Sequence, residues 1–254
     1  MSVTNINDKR KSAGRVYDRG DHVELAAALL AAIEVASGPP VVFSEGWLWR
    51  YDPSGVWLGI NETEQSVALQ KFAGSSVRKA QGFGKLKLKR HDIAGAIKLA
   101  HDRRAKPDFF AVASQAIAFA NGVALVSAAG IELREPHPDQ RVRVRYPFDF
   151  DAAARCPRFE SFLNEIFDGD ADASAKRNYL QEFLGACLLG AATRYGKILV
   201  ATGVGANGKS VFCAIAEAAM PAGTTSAIAP QLWGNEYRRA RLAGKRLNIV
   251  SELP

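Results

Sequence analysis

The stretch that decides the fold is KILVATGVGANGKSVF, Lys197 to Phe212. Within it, Gly203-Val204-Gly205-Ala206-Asn207-Gly208-Lys209-Ser210 satisfies G-x-x-x-x-G-K-[ST], the phosphate-binding loop. Ile198-Leu199-Val200 before it is a short apolar run fit for a buried parallel strand, and Val211–Ala216 after it opens a helix. Glycines let the backbone turn with positive φ and leave room for a phosphate. Successive N–H groups then form an anion nest at a helix N-terminus, where the helix dipole also favours negative charge. In that pattern Lys209 reaches the β- and γ-phosphates of ATP, and the Ser210 hydroxyl holds Mg²⁺. An ordinary Gly-rich strand-to-helix turn is the competing reading, and it leaves Lys209-Ser210 without a reason.

Outside this loop the composition bounds the answer. The chain has 254 residues, 48% hydrophobic and 23% charged, which suits a globular protein with room for one large domain or two smaller ones. No apolar run approaches the roughly 18 residues of a membrane span, and the N-terminus lacks a signal-type apolar core, so the default compartment is the cytoplasm. Cys156, Cys187 and Cys213 are far apart and none sits with a histidine at metal-ligand spacing. The net charge is +7, and it is concentrated. Between Ser76 and Lys106 ten bases face two acids, Asp92 and Asp102, which makes that stretch +8. Such a patch is the footprint of a polyanion partner, or else a solvated face.

Upstream of the loop the chain changes character twice. Residues 1–20 are polar, mildly basic and aperiodic, and are expected to be a disordered tail. Asp21 and Glu24 form a capping box for a helix carrying Leu25, Leu29 and Ile33. Val41–Phe43, Trp47–Tyr51 and Val56–Ile60 are three short strands, with Trp47, Trp49 and Tyr51 alternating onto one face as core or as a base-stacking platform. Asn61 with Glu64 starts another helix. In Gly82–Arg90 the alternation sets Lys85, Lys87 and Lys89 opposite Leu86 and Leu88; with Arg90 these are the candidate DNA-binding residues. A lysine-bearing edge that blocks aggregation is the alternative. Asp92 is expected to cap the helix that follows.

Asn121-Gly122 joins two strands as a hairpin, Ile131–Arg134 adds a third, and Arg141, Arg143 and Arg145 suggest a strand among prolines. From Asp151 the pattern is helical, with Phe159, Phe162, Leu163 and Ile166 in one helix and Tyr179, Leu180, Phe183 and Leu184 in a second. Beyond the loop a short helix near Gln231–Leu242 precedes an apolar strand over Arg246–Val250, and that strand leads to Ser251-Glu252. The fold class is therefore α/β. Residues 21–150 form an α+β region with small antiparallel sheets, 151–195 a helical segment, and 196–254 the first part of a phosphate-loop domain.

Taken together, Asn121-Gly122-Val123, Cys156-Pro157-Arg158-Phe159, Leu180–Gly185, Gly203–Ser210 and Gly244–Asn248 resemble the phage/plasmid-type primase-helicase family. These are superfamily-three DNA helicases of phages, plasmids and integrated elements. The likeness covers residues 106–254 well and the N-terminal third only weakly. It implies an AAA+-like ATPase that uses ATP and Mg²⁺, assembles as a ring and threads single-stranded or forked DNA. It carries the phosphate loop over onto Gly203–Ser210 and makes Glu252 the acid that polarises the attacking water and helps hold Mg²⁺ through water. Ser251 stands where an Asp is commoner. The resemblance also implies a later sensor strand, a DNA-contacting hairpin and a trans-acting arginine, all expected after Pro254. The chain is thus expected to be C-terminally truncated, and the alternative function is a catalytically incomplete nucleotide- and DNA-binding module.

Overall fold

The computed structural model describes residues 16–34, 38–111, 115–203, 205 and 207–250. The chain divides into two compact units, residues up to 53 with 57–111, and residues 54–56 with 112–254. This division falls well before the change of character seen in the sequence at Asp151, because the hairpins after residue 115 group with the later helices.

In the first unit the elements run β1 (Val16–Tyr17), α1 (His22–Ile33), β2 (Val42–Ser44), β3 (Trp47–Asp52), β4 (Val56–Ile60), α2 (Glu62–Gln70), β5 (Ser76–Lys79), β6 (Gly82–Lys85) and α3 (Arg90–Arg104). The core lies between α1 and α3. Leu25 and Leu29 of α1 are fully buried, and Ala26, Ala96 and Ala100 are small enough to bring the two helices close. Each buried leucine contributes about 1.5–3 kcal/mol. Where the helices end, Arg104 donates from Nε and Nη2 to Glu34 Oε1 at 3.1 and 2.7 Å.

The helix starts follow the sequence in part. Asn61 and Glu64 make the full capping box of α2, at 2.9 and 2.8 Å. Asp21 caps α1 through Val23 and Glu24 N–H, while Glu24 reaches further back and accepts from Asp18, Arg19 and Gly20. Asp92 is not the cap of α3. Lys89 holds that position, and Asp92 sits one turn in, accepting the Lys89 N–H at 2.8 Å. A carboxylate three residues inside a helix can reach back to the free amide at its start.

Of the tail expected over 1–20, residues 1–15 lie outside the described residues, and the rest is not a tail. Val16 and Tyr17 pair in parallel with Ser76 and Val77, and Tyr17 is 2% exposed. An apolar pair after a polar run closes the edge of the β1–β5–β6 sheet. In the β2–β3–β4 sheet, Trp49 meets Phe110 edge-on at 4.8 Å and Tyr51 lies 5.5 Å from the buried Trp57. Those two aromatics are core, while Trp47 is 44% exposed.

In the second unit β7 (Ala116–Phe119), β8 (Gly122–Ser127) and β9 (Gly130–Arg134) form an antiparallel meander; the first hairpin turns at Ala120-Asn121, one residue earlier than the expected Asn121-Gly122, because Gly122 pairs with Phe119 as the first residue of β8. The Arg141–Arg145 strand does not form. A 3-10 turn occupies Pro138–Gln140, and only Arg145 bridges, to Ala118. Then come α4 (Pro157–Ile166), α5 (Ala173–Leu188), α6 (Lys209–Ala219), β10 (Thr225–Ser226), α7 (Glu236–Ala240) and β11 (Leu247–Asn248). The helix expected over 231–242 is thus reduced to a single short turn of α-helix. The strand over 246–250 is reduced to two residues paired in parallel with β10. Asn248 holds that pairing, accepting from Ser226 Oγ and Ile228 N at 2.8 Å each and donating to Ile228 O at 3.0 Å. The described residues thus have mixed α and β content in small open sheets, as expected of the α/β class.

Candidate functional site

Two features carry the chemistry, one in each unit. In the second unit α6 begins at Lys209, immediately after the last loop glycine. Phe212 and Ala216 of α6 and Met220 at its C-cap, spaced four apart, form one buried stripe against Cys187, Leu247 and the α4 and α5 side chains Phe159, Phe162 and Phe183. That packing fixes the helix, and the helix fixes the loop's end. Gly208 occupies the N-cap with φ +82°, and its carbonyl accepts from Phe212 N–H at 2.9 Å.

The Lys209 ammonium folds back across the loop and donates to Gly203 O at 3.0 Å and to Asn207 Oδ1 at 2.5 Å. A Cβ at Gly203 would run into the Asn207 amide and lie 3.7 Å from Lys209 Nζ, so the missing side chain is what lets Asn207 and Lys209 close over the backbone there. Ser210 stands exposed in the first turn beside it. Gly205 is exposed as well, with open space where a side chain would be. Val204, Ala206 and Glu252 lie outside the described residues.

The strand expected before the loop does not form. Residues 197–200 join no ladder among the described residues, and Ile198 and Val200 are 69% and 57% exposed. Only Leu199 turns into the core around Phe162 and Phe183, and no described strand lies alongside to take the backbone groups. An apolar run is a necessary feature of a buried strand, and a neighbouring strand is the other.

The second feature is the basic face of the first unit. Lys85, Lys87, Lys89 and Arg90 are all exposed, whereas Leu86 is buried and Leu88 half-buried. The alternation seen in the sequence therefore holds, although the ladder itself ends at Lys85. Leu86 still exchanges backbone hydrogen bonds with the neighbouring strand's lead-in, from its N–H to Ser75 O and from Gly74 N–H to its carbonyl. Arg78, Lys79, Lys98 and Arg103 are exposed too. Asp92 tempers this charge. Its carboxyl is held below the ordinary range, chiefly by the Lys89 N–H and, against some desolvation, by His91 and His22.

A cluster that sequence reasoning did not assemble is the open cavity of about 440 Å³ lined by Thr225, Ser226, Arg238, Arg241 and Lys245. Its signal was the spacing of three bases over eight residues, which α7 and the turn after it gather onto one side.

No curated protein matches the chain. The family model described as D5 N terminal like matches residues 24–168. The match takes in the basic face and ends before the phosphate loop, so it falls largely on the part of the chain whose motifs resemble primase-helicases least. No described helix is long and apolar enough to cross a membrane. With more than half its length in that match, the chain belongs to the D5 N terminal like family, the N-terminal region of phage and plasmid primase-helicase-type replication proteins.

Proposed function

We propose that the chain is the nucleotide- and DNA-binding part of a helicase-type ATPase acting in replication of a phage, plasmid or integrated element. The observation that carries this reading is the loop end: a positive-φ glycine capping an anchored helix, with Lys209 folded back onto the Gly203 carbonyl. The residues fit ATP with Mg²⁺. At Gly205 the backbone is open to phosphate, Lys209 would exchange two neutral oxygens for charged ones, and the exposed Ser210 hydroxyl would take the metal. ATP supplies the phosphoryl bond whose hydrolysis drives movement on DNA. Glu252, four residues after β11 in the sequence, is the acid proposed to orient the water. The basic face takes single-stranded or forked DNA through its phosphates, and the working form is a ring of copies.

A second reading is favoured by the exposed Ile198 and Val200: a module that binds nucleotide and DNA without efficient turnover, because the segment before its loop joins no ladder among the described residues. ATP titration and ATP hydrolysis with and without single-stranded DNA separate the two. Lys209→Ala should abolish or strongly weaken ATP binding in either case, and unchanged affinity would remove the phosphate-loop assignment. DNA-stimulated hydrolysis supports the ATPase. Binding without hydrolysis supports the module.

A further inference from the structure

Phe83 sits in the middle of β6 and is 67% exposed. The register explains why. Arg78 lies opposite Phe83 and Ser76 opposite Lys85 in the β5–β6 ladder, while β1 sets Val16 beside Ser76. Paired positions share a face of a sheet and alternate positions share a side of a strand. Val16, Ser76, Arg78, Phe83 and Lys85 therefore line one face, and all are exposed. Tyr17 and Val77, at 2% and 7%, occupy the other. The open face carries one phenyl ring with a cation across from it and another two residues along. Beyond β6, Lys87 and Lys89 continue outward on the same alternation.

We infer that this face is a platform for single-stranded nucleic acid, with a base stacked on Phe83 and the neighbouring phosphates on Arg78, Lys85 and Lys87. The inference rests on the DNA-binding reading above and adds where and how the strand is held. Charge selects the occupant. With a net +8 between Ser76 and Lys106, a second copy docking through the same face would bring like charges together. A duplex offers phosphates but keeps its base faces stacked inside. An unpaired strand offers both phosphates and π-faces, and stacking on an aromatic side chain is tolerant of base identity. An acidic contact on this face is weak: Asp18 stands 3.7 Å from Arg78, with both side chains more than 60% exposed, and a phosphate would displace it.

The test is fluorescence anisotropy of the whole chain with a labelled oligo-thymidine strand and with a duplex of equal length, across a salt series. Phe83→Ala should weaken single-strand binding by roughly 5- to 100-fold, leave the salt slope unchanged and leave duplex binding alone. Phe83→Trp should keep the affinity, and its fluorescence should be quenched on binding. Lys85→Gln with Lys87→Gln should reduce the single-strand salt slope by about 1.4. Because Phe83 is exposed, its variants should melt like the parent chain. If Phe83→Ala binds the single strand as the parent does while the lysine variant is weakened, the platform is overturned and DNA binding stands. An equal loss on duplex overturns stacking too. If the parent chain binds neither DNA, both readings fall, and a protein partner becomes the candidate for the face.

Discussion

Replacing Gly208 by alanine tests whether the phosphate loop is held in the shape its chemistry needs. Two costs arise. At φ +82° an L-residue is in the left-handed region, worth about 1–2 kcal/mol against it. The added methyl would lie 2.6 Å from Ile166 Cγ2 and 3.1 Å from Phe162 Cε2, where carbon atoms prefer roughly 3.5–4.0 Å. Overpacking of that kind costs about 1–3 kcal/mol, and here the lower end applies, because Ile166 is only half-buried and has room to yield. The sum is about 2–3 kcal/mol set against the loop conformation. If the loop relaxes to escape it, ATP affinity should fall roughly 30-fold or more, at about 1.4 kcal/mol per factor of ten. If the loop holds, the cost appears as a lower melting temperature. Gly208→Ala/Ile166→Ala separates the terms: the clash is gone and the dihedral cost stays, so the double-mutant cycle should show coupling of about 1 kcal/mol or more. Unchanged melting together with unchanged affinity in Gly208→Ala would refute the reasoning. Zero coupling would refute the contact with α4.

Two further predictions concern the core of the first unit. Gln65 is 1% exposed, donates from Nε2 to Ile60 O at 2.9 Å and so presents Oε1 to His101 Nε2 at 2.8 Å; Gln65→Leu should cost about 2–4 kcal/mol in a denaturant melt by leaving both partners unpaired. His101, stacked 4.0 Å from Phe43, has its pKa lowered by burial, so the folded chain favours the neutral ring and the unfolded chain binds the proton more readily. Its contribution is full above the unfolded value of about 6.5 and is lost as pH falls through that value towards the folded one. A melting temperature that is flat from pH 7.5 to 5, or equally sloped in His101→Gln, would contradict this.

What was legible in the sequence was whatever is local. The capping box at Asn61 and Glu64, the hairpin around Asn121 (its turn one residue earlier than expected) and the alternation through Lys85–Lys89 each need only a few neighbouring residues, and each stands in the fold. What was not legible depends on a distant partner. Ile198–Val200 has the composition of a buried strand, yet only Leu199 finds core to pack against. Arg246–Val250 likewise pairs only where Thr225 and Ser226 meet it. The same limit explains Val16 and Tyr17, which look like the end of a polar tail until β5 is beside them.

Phe83 shows how the two kinds of information combine. Its alternation with Lys85 was present in the sequence, but alternation assigns side chains to faces without saying which face is covered. That was decided by Tyr17 and Val77, which the fold turns inward on β1 and β5. Once they fill the inner face, Phe83 is left outside with Arg78 and Lys85 by parity alone. An aromatic ring kept in water among cations gains nothing for the fold, because its apolar surface stays hydrated. The same ring against an unpaired base would bury that surface, and the cations around it would meet the phosphates that come with the base.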